Sequence, residues 1–548
     1  MKRVWRLPVL LLLPVLLIGA VIAQDRVSSG GGSAVRLNEM VPTASPDGAL
    51  SSTWYCPAGT STGVVAGETA GFAEQTITIA NTTSVEAAGV VTVFNEKGDS
   101  ALKAVTVGAH SQKSLRTSEV LTAPWASALV EVSGGGITVT HELRGPAGRS
   151  VSACASGPSA RWYFPSGTTR AGTRNLLALF NPFPGEATID LSFDTEEGTR
   201  TPQQLQGMVV PGGRLVMVDV GAIVTLRERV STTVSVRIGR VIAEQIQTSD
   251  GRNGTEQGLT SVLGATTTGP LWTFPVATAA STTAREIVSV LNTGDSDTEV
   301  QIEVQLDDPA TNGSVEPFVL EVASNRAAQI DLGSDPRIPK AVGRWLIVRS
   351  MTSAPIVVER SIGTTRTTTA GGLAFTMGVP VLATSWLGTV ARASDISATL
   401  VAVANPSATA TATVTVSISS KGGRSSIATA RSVRVAPGQR LLLDLLSLTT
   451  GITDGSILVD SDQPVVVGQW MVSSAPVDIF TISGFPVVGT ESLPVDVFTP
   501  DQAVAVSVES LPVETIPEVT TTTMTTTSAT IAPPTSTTVA GPSTTAVR

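Results

Sequence analysis

The stretch GTSTG, from Gly59 to Gly63, has the residue types and spacing of a catalytic motif. A serine between two such glycines is the nucleophile pattern of acyl transfer, which also needs a histidine and a carboxylate behind it. The motif works on a sharp turn between a buried strand and a helix, whereas here it lies in a Ser/Thr/Gly loop of a strand-rich pattern. The chain contains two histidines, His110 and His141. We therefore expect Ser61 not to be a nucleophile and the protein not to be an enzyme.

Acidic residues offer two further kinds of chemistry. The loops DSDTE from Asp295 and DDPATNG from Asp307 carry oxygen ligands that suit Ca²⁺, but neither has the spacing of an EF-hand loop. Glu196 and Glu197 are carboxylates of the type that hydrolyses glycosides, yet neighbours in a strand would point to opposite faces. We expect solvated acidic loops, with no metal site, no catalytic pair and no cofactor.

Cys56 and Cys154 are the only two cysteines of the chain. Two cysteines are too few for a four-ligand zinc site, and neither belongs to a CxxC motif. They lie at the first and last strands of one repeat unit, the two ends of which can lie side by side in a β-sandwich. We predict that they form a disulfide bond, which would place the protein in an oxidising compartment.

A repeat of about 110 residues organises most of the chain. Each copy opens on a tryptophan: Trp54, Trp162, Trp272 and Trp386. Each then has a turn centred on an asparagine: Asn81, Asn181, Asn292 and Asn405. The run that follows alternates apolar and polar residues, as in ATIDLSF from Ala187, which is typical of a half-buried antiparallel strand.

Units of this length, with short strands, frequent turns and no helical period, are typical of immunoglobulin-like sandwiches. We predict an all-β chain of four tandem immunoglobulin-like antiparallel β-sandwich modules that follow one another as a rod. Their predicted ranges are 50–157, 158–265, 266–380 and 381–490, called modules 1 to 4 below.

The repeated residues have a structural and a functional interpretation. A tryptophan beside a proline can close one end of a sandwich, whereas an exposed aromatic platform would bind sugar rings. An asparagine caps its own backbone in a turn and tolerates left-handed geometry. One copy in each module favours the structural role for both. The pairs Arg214 with Asp219, Arg326 with Asp331, and Arg440 with Asp444 also recur, and we expect weak surface ion pairs in solvated turns.

The two ends of the chain differ from the repeat. Basic residues precede an apolar stretch, so that residues 1–23 read as a signal peptide cleaved after Ala23 or as a single membrane anchor. Residues 24–49 are predicted to be a flexible linker, and the Thr/Pro-rich residues 491–548 a disordered tail. We therefore expect an extracytoplasmic protein, either secreted or anchored to the cell membrane by its N-terminal segment.

The formal net charge of -9 limits the partners. Nucleic acid and anionic lipid both require a basic face, so we expect no nucleic-acid partner and no membrane contact except through residues 1–23. An envelope protein or a polysaccharide remains, and the sequence does not define the oligomeric state.

The second copy resembles a known kind of module. The segments WYFPSGTT, LALFNPFPGEATIDLSF, VVPGGRLVMVDV and VIAEQ resemble an extracellular β-sandwich repeat of bacterial and archaeal surface proteins, and PIVVERSIG from Pro355 matches its closing element. The layout over roughly 50–490 also resembles an uncharacterised family of secreted actinobacterial proteins that open on Trp-Tyr-Cys-Pro, here Trp54 to Pro57. Copy four departs at its opening and at Gln469, which suggests an end cap.

The resemblance implies an envelope location and no known activity. We expect a non-enzymatic cell-envelope protein that acts as a structural or interaction scaffold. The alternative is a binding protein for cell-wall or extracellular polysaccharide that uses loops at the module ends.

Overall fold

A computed structural model describes residues 37–61, 72–252, 256–277, 284–339, 342–364, 371–390, 396–448, 455–474, 477–495 and 497. The predicted signal segment and most of the predicted tail lie outside these residues. The chain divides into two compact units, Met1–Val504 and Ala505–Arg548, and every described residue belongs to the first. Strands in antiparallel sheets make up most of the described chain, so the all-β prediction is confirmed. Within the described ranges, no helix is long and apolar enough to cross a membrane.

Module 1 consists of two sheets, with strand orders β1-β6-β3-β4 and β5-β2-β7-β8. Alternation in the sequence produces the inner faces: β2, EQTITIAN, buries every second residue and then its last three. The strands are β1 Ser51–Cys56, β2 Glu74–Asn81, β3 Ala87–Asn95, β4 Ser100–Val107, β5 Ser111–Arg116, β6 Ala126–Ser133, β7 Ile137–Arg144 and β8 Arg149–Ala153.

Modules 2 and 3 repeat this order, with the edge strand of module 2 split in two. Module 2 contains β9 Arg161–Phe164, β10 Thr173–Asn181, β11 Ala187–Thr195, β12 Gly198–Arg200, β13 Met208–Val210, β14 Arg214–Asp219, β15 Val230–Ile238, β16 Ile242–Asp250 and β17 Gln257–Leu263. Module 3 contains β18 Leu271–Ala277, β19 Ala284–Asn292, β20 Thr298–Leu306, β21 Phe318–Val322, β22 Ala327–Asp331, β23 Arg344–Ser350, β24 Ile356–Thr364 and β25 Gly372–Met377.

Module 4 joins its two sheets through one long strand, β32, which pairs with strands of both. Its strands are β26 Leu382–Val390, β27 Ile396–Ala404, β28 Ala412–Ser420, β29 Gly423–Ser426, β30 Val433–Val435, β31 Arg440–Asp444, β32 Gly455–Ser474, β33 Val477–Ser483, β34 Phe485–Pro486 and β35 Glu491–Ser492. The helices of the described chain are short: 3-10 turns at Leu37–Glu39, Thr117–Glu119, Gln203–Leu205, Val220–Ala222 and Ala428–Ala430, and an α-helix, α1, at Leu445–Leu448.

The place of the first strand distinguishes these modules from an immunoglobulin constant domain. There the first and second strands share a sheet. Here β1 pairs with β6, from Ser51 opposite Ser133 to Cys56 opposite Ala128, while β7 lies beside β2. The pairing of the second strand with the fifth and of the third with the sixth agrees with the immunoglobulin arrangement.

The modules do not form the predicted rod. The last strands of the modules, β8, β17, β25 and β33, pack against one another in that order, and β33 packs back against β8, which closes a ring. Each is the edge strand of its sheet, and each is buried along most of its length. The rod is wrong because these edges are covered by one another at the centre, so they do not face solvent.

The ring closes through non-covalent contacts between modules 4 and 1. Trp54 packs edge-on against Phe485 with ring centroids 5.4 Å apart. The backbone N–H of Arg149 on β8 donates a 2.8 Å hydrogen bond to the carboxylate of Asp478 on β33. The hydrophobic core of module 1 continues across this seam into residues of module 4, namely Leu387, Ile396, Leu458, Met471, Phe480 and Ile482.

Two predicted boundaries move. Residues 37–45, here called the N-terminal strap, belong to the predicted flexible linker, yet Met40 is buried and Ala44 exchanges backbone hydrogen bonds of 3.0 and 2.9 Å with Pro486 and Val488. At the other end, β35 lies in the predicted tail and pairs with β26. Backbone hydrogen bonds to module 4 therefore order both segments, which local composition does not reveal.

Candidate functional site

The four repeat tryptophans lie in hydrophobic cores. Each is at most 1% exposed, so none presents a ring to solvent as a sugar platform would. Three of the indole N–H groups donate to backbone carbonyls at 2.9–3.1 Å: Trp162 to Val241 just before β16, Trp272 to Ile356 at the start of β24, and Trp386 to Val465 within β32. The Nε1 of Trp54 has no such partner among the described residues.

The four turn asparagines make one set of hydrogen bonds. In each, Oδ1 accepts the backbone N–H two residues later at 2.9–3.1 Å. Nδ2 donates to a carbonyl of the same turn at 2.7–2.8 Å. It also donates to the last carbonyl of β4, β13, β21 or β30 at 2.9–3.3 Å. Left-handed geometry is not involved, since none of the four has a positive φ. The four asparagines therefore join each turn to the end of a later strand, namely β4, β13, β21 or β30.

The predicted surface ion pairs along the strands are wrong. Residues four or five apart on a strand are separated by roughly 13–17 Å, too far for an ion pair. Arg326 instead donates to Asp194 of module 2, and Arg440 donates to both carboxylate oxygens of Asp307 in module 3, at 2.6 and 2.8 Å. The side chain of Arg214 lies against Gly98 of module 1. These arginines thus reach back to the preceding module and help to hold the seams.

The predicted Asp partners have other contacts. Asp219 accepts the N–H of Ala222, and Asp444 accepts that of Leu446. Asp331 lies 3.6 Å from Arg285.

The pairing of Cys56 with Cys154 is present. The bond joins β1 to the residue after β8, so it fastens the two ends of module 1 together. A disulfide is favoured in oxidising, extracytoplasmic environments.

Ser61 Oγ forms no hydrogen bond with either histidine. Ser61 is 1% exposed, and its Oγ has no partner among the described residues. The ring nitrogens of His141 face Gln75 Nε2 at 3.3 Å and Glu244 Oε1 of module 2 at 2.9 Å. His110 Nδ1 lies 2.7 Å from Ser419 Oγ of module 4. Both histidines therefore contribute to module contacts.

Several of the acidic candidates have hydrogen-bond partners within the protein. Asp297 accepts the N–H of Ser324, and Asp307 is held by Arg440. Glu196 and Glu197 lie in the turn between β11 and β12, where Glu196 accepts two backbone N–H groups. No group of three or more His, Cys, Asp or Glu side chains in the described ranges could hold a metal ion.

Sequence reasoning missed a buried polar pair inside each sandwich. On the second strand of each module it is Gln75, Asn175, Glu286 or Thr399, and on the strand paired with it, β7, β16, β24 or β32, it is His141, Gln245, Arg360 or Gln469. All are at most 3% exposed. The register places the residues on β7, β16, β24 and β32 at equivalent positions, opposite Ile77, Leu177, Val288 and Val401. The sequence does contain a signal for these residues. On the second strand of each module, the residue is polar at a position where the period-two alternation predicts an apolar side chain.

Two acids, one on β16 and one on β24, contact the preceding module. Glu244 meets His141 of module 1, and Glu359 accepts the N–H of Ser166 in module 2 at 2.8 Å. Burial raises the pKa of Glu359 to about 8, against the lowering effect of its bonds to Ser166. Buried polar contacts thus lie at the seams between modules 1 and 2 and between modules 2 and 3.

One cavity lies where the N-terminal strap crosses the connection between modules 1 and 2. It has a volume of about 400 Å³, within the range of small-ligand sites. Hydroxyl side chains dominate its polar lining: Thr43, Ser45, Ser52, Thr53, Ser156, Ser159, Thr266 and Thr267.

The comparisons with known proteins leave the function open. Residues 136–343 match a family of unknown function, DUF5719, a span that contains all of module 2 and covers less than half of the chain. The resemblance to an uncharacterised family is confirmed to that extent, while an actinobacterial origin stays a prediction. No curated protein matches the chain.

Two solved structures show weak likeness. One, titled as the crystal structure of Thermotoga maritima 1070, is 22% identical, with 20% of this chain and 91% of that chain covered and a TM-score of 0.17. The other, a tetra-tandem repeat in the extending region of a large adhesion protein, is 14% identical, with 76% and 95% covered and a TM-score of 0.09. TM-scores this low carry no argument about the architecture.

Proposed function

We propose that this chain is a non-enzymatic, exported cell-envelope protein in which four immunoglobulin-like modules form one interaction scaffold. The observation that carries the proposal is the use of the repeated residues. The tryptophans and asparagines stabilise each module, and arginines such as Arg326 and Arg440 cross the seams between modules. Because these repeated side chains stabilise the modules and their contacts, we expect any binding to use the exposed surface of the ring.

Fractionation of cells, followed by N-terminal sequencing and thiol labelling, tests the location. We expect the protein outside the cytoplasm with Cys56 and Cys154 joined, and either beginning at Gln24 or retaining residues 1–23 in the membrane fraction. Uncleaved protein in the cytosol with two free thiols would contradict an exported scaffold.

Cross-linking in intact envelopes tests the scaffold role. We expect a defined protein partner to be cross-linked by the purified, tagged chain in a saturable way. Turnover of any substrate that follows the protein through purification and is lost in Ser61→Ala would contradict the non-enzymatic assignment.

The cavity of about 400 Å³ favours polysaccharide binding as a second candidate function. Its hydroxyl lining can donate to and accept from sugar hydroxyls. Gly157 lines this cavity, and a Cβ there would meet nothing within 4 Å, so Gly157→Phe adds bulk without a backbone clash. Gly185→Phe on module 2 is a matched control with equal space.

Calorimetric titration with soluble cell-wall polysaccharide separates the two candidates. Polysaccharide binding requires saturable heat that Gly157→Phe removes and Gly185→Phe keeps. Absence of binding, or equal binding by both variants, would leave this cavity without a role in polysaccharide recognition.

A further inference from the structure

Module 3 differs from the other modules in the charge of its interior. Its polar pair is Glu286 on β19 and Arg360 on β24, and Arg344 at the start of β23 joins them. Arg344 Nη2 donates to Glu286 Oε2, and Arg360 Nη1 lies 3.5 Å from Glu286 Oε1. All three side chains are at most 4% exposed. One carboxylate therefore faces two guanidinium groups away from solvent.

The neighbouring acids are engaged elsewhere. Asp307 is held through both oxygens by Arg440, and Glu303 lies 3.2 Å from Arg349. Burial is the main cause that lowers the pKa of Arg360 to about 10, with Glu286 opposing it and Arg344 and Arg440 adding to it. A buried excess of one positive charge costs free energy unless a counter-charge is present.

Donor groups of the cluster remain unused. Arg344 Nε and Nη1 and Arg360 Nε have no hydrogen-bond or ion-pair partner among the described residues. A cavity of about 10 Å³ adjoins Arg360 at the seam with module 4, and Thr273, Phe274 and Val276 also line it. This space is small, so at most a single monatomic ion or one water molecule fits there.

The fold does not require these charges. At the positions of Glu286 and Arg360, the other modules have Gln75 with His141, Asn175 with Gln245, and Thr399 with Gln469, and none of these contains a carboxylate or an arginine. At the position of Arg344, modules 1 and 2 have Ala126 and Val230. The positive excess is therefore particular to module 3.

We propose that module 3 binds one small monovalent inorganic anion, of the size of chloride, beside Arg360. The ion balances the positive charge that remains after Glu286 neutralises one of the two guanidinium groups, and it accepts the unused N–H group of Arg360. A tetrahedral divalent oxyanion such as sulfate is too large for the space. The proposal is independent of the scaffold or polysaccharide function.

Thermal unfolding of the full chain in different sodium salts tests the site. We expect the unfolding midpoint to rise saturably with chloride or bromide at constant ionic strength maintained with gluconate. The rise should be on the order of 2 °C when the halide is at tenfold its dissociation constant. A midpoint that does not depend on the halide would overturn the proposal.

Two variants give opposite expected changes. Arg344→Val introduces the residue of module 2 and removes the positive excess, so the halide-dependent rise should vanish. Glu286→Gln increases the excess, so the halide-dependent rise should become larger and reach half its value at lower halide. General salt effects act alike on all three proteins and cancel in the comparison. Equal halide dependence in the wild type and both variants contradicts the site.

Crystals of the wild-type protein grown in bromide provide a test that needs no variant. Anomalous scattering should show one bromide within hydrogen-bonding distance of Arg360. Water alone at both guanidinium groups, at bromide levels that saturate the thermal effect, would overturn the proposal even if the variants failed to fold.

Discussion

At the scale of single residues, burial decides what each polar side chain does. Asn181 forms the same three kinds of hydrogen bond as its counterparts. These bonds pair backbone N–H and C=O groups of its turn and of β13. Arg326 lies at a strand start, where its nearest carboxylate belongs to module 2. Polar residue types that could serve a binding site therefore stabilise the fold here.

Asp194 is the partner by which Arg326 stabilises the seam between modules 2 and 3. Asp194 is 6% exposed and also accepts the N–H of Ala327 at 2.9 Å. We expect a double-mutant cycle of Arg326→Ala and Asp194→Ala to give a coupling free energy of about 1–2 kcal/mol in chemical unfolding. The matched cycle with Asp331→Ala should give a value near zero. Comparable coupling in the two cycles would restore the pair within the strand.

Glu359 makes stability depend on pH. Its folded pKa of about 8 lies above the ordinary value of 4.5, so the folded state retains a proton that the unfolded state loses between these values. Stability therefore falls as pH rises from about 4.5 to about 8. In Glu359→Gln this loss is absent, so the variant should gain on the wild type across that window, by on the order of a few kcal/mol.

Urea unfolding at several pH values measures this difference. Glu86→Gln, on the surface of module 1, controls for the loss of one carboxylate. A constant difference between Glu359→Gln and wild type from pH 5 to pH 8 would refute the role given to Glu359.

At the scale of elements, the last strands of the modules depend on close approach. A Cβ at Gly258 on β17 would lie 2.5 Å from Leu373 Cβ and 2.6 Å from Leu373 N on β25. Gly258 has no positive φ, so packing and not backbone geometry requires the glycine. The meeting of β17 and β25 therefore selects a residue without a side chain.

Gly258→Ala should loosen the seam between modules 2 and 3. We expect it to destabilise the protein by about 1–3 kcal/mol, since backbone must move to admit the methyl group. Gly185→Ala, where a Cβ meets nothing within 4 Å, should change stability by less than about 0.5 kcal/mol. Denaturant midpoints of the two variants provide the measurement, and equal midpoints would contradict the close approach.

At the scale of the whole ring, modules 1 and 4 meet although they are far apart in sequence. Thr138 Oγ1 on β7 and Thr389 Oγ1 on β26 lie 3.3 Å apart, 251 residues from each other along the chain. Such a contact occurs in a closed ring and is impossible in a rod of modules in sequence order.

Cysteines at these two positions should form a cross-link. We expect Thr138→Cys with Thr389→Cys to give a new disulfide in the full-length chain, seen as faster migration without reductant and identified by peptide mapping. Each single substitution controls for pairing with Cys56 or Cys154. Two free thiols in the folded double variant would argue for modules that do not close.

The sequence by itself determined the all-β class, the four repeats, the positions of the repeated tryptophans and asparagines, and the pairing of the two cysteines. These features are local: period-two alternation, turn chemistry and the ends of one sandwich do not depend on distant contacts. Tertiary structure alone decided the ring, the partners of Arg326 and Arg440, and the charge cluster around Glu286. The reason is that edge strands and buried charges find their partners on other modules. The alternation of residues along one strand does not indicate which module that partner belongs to.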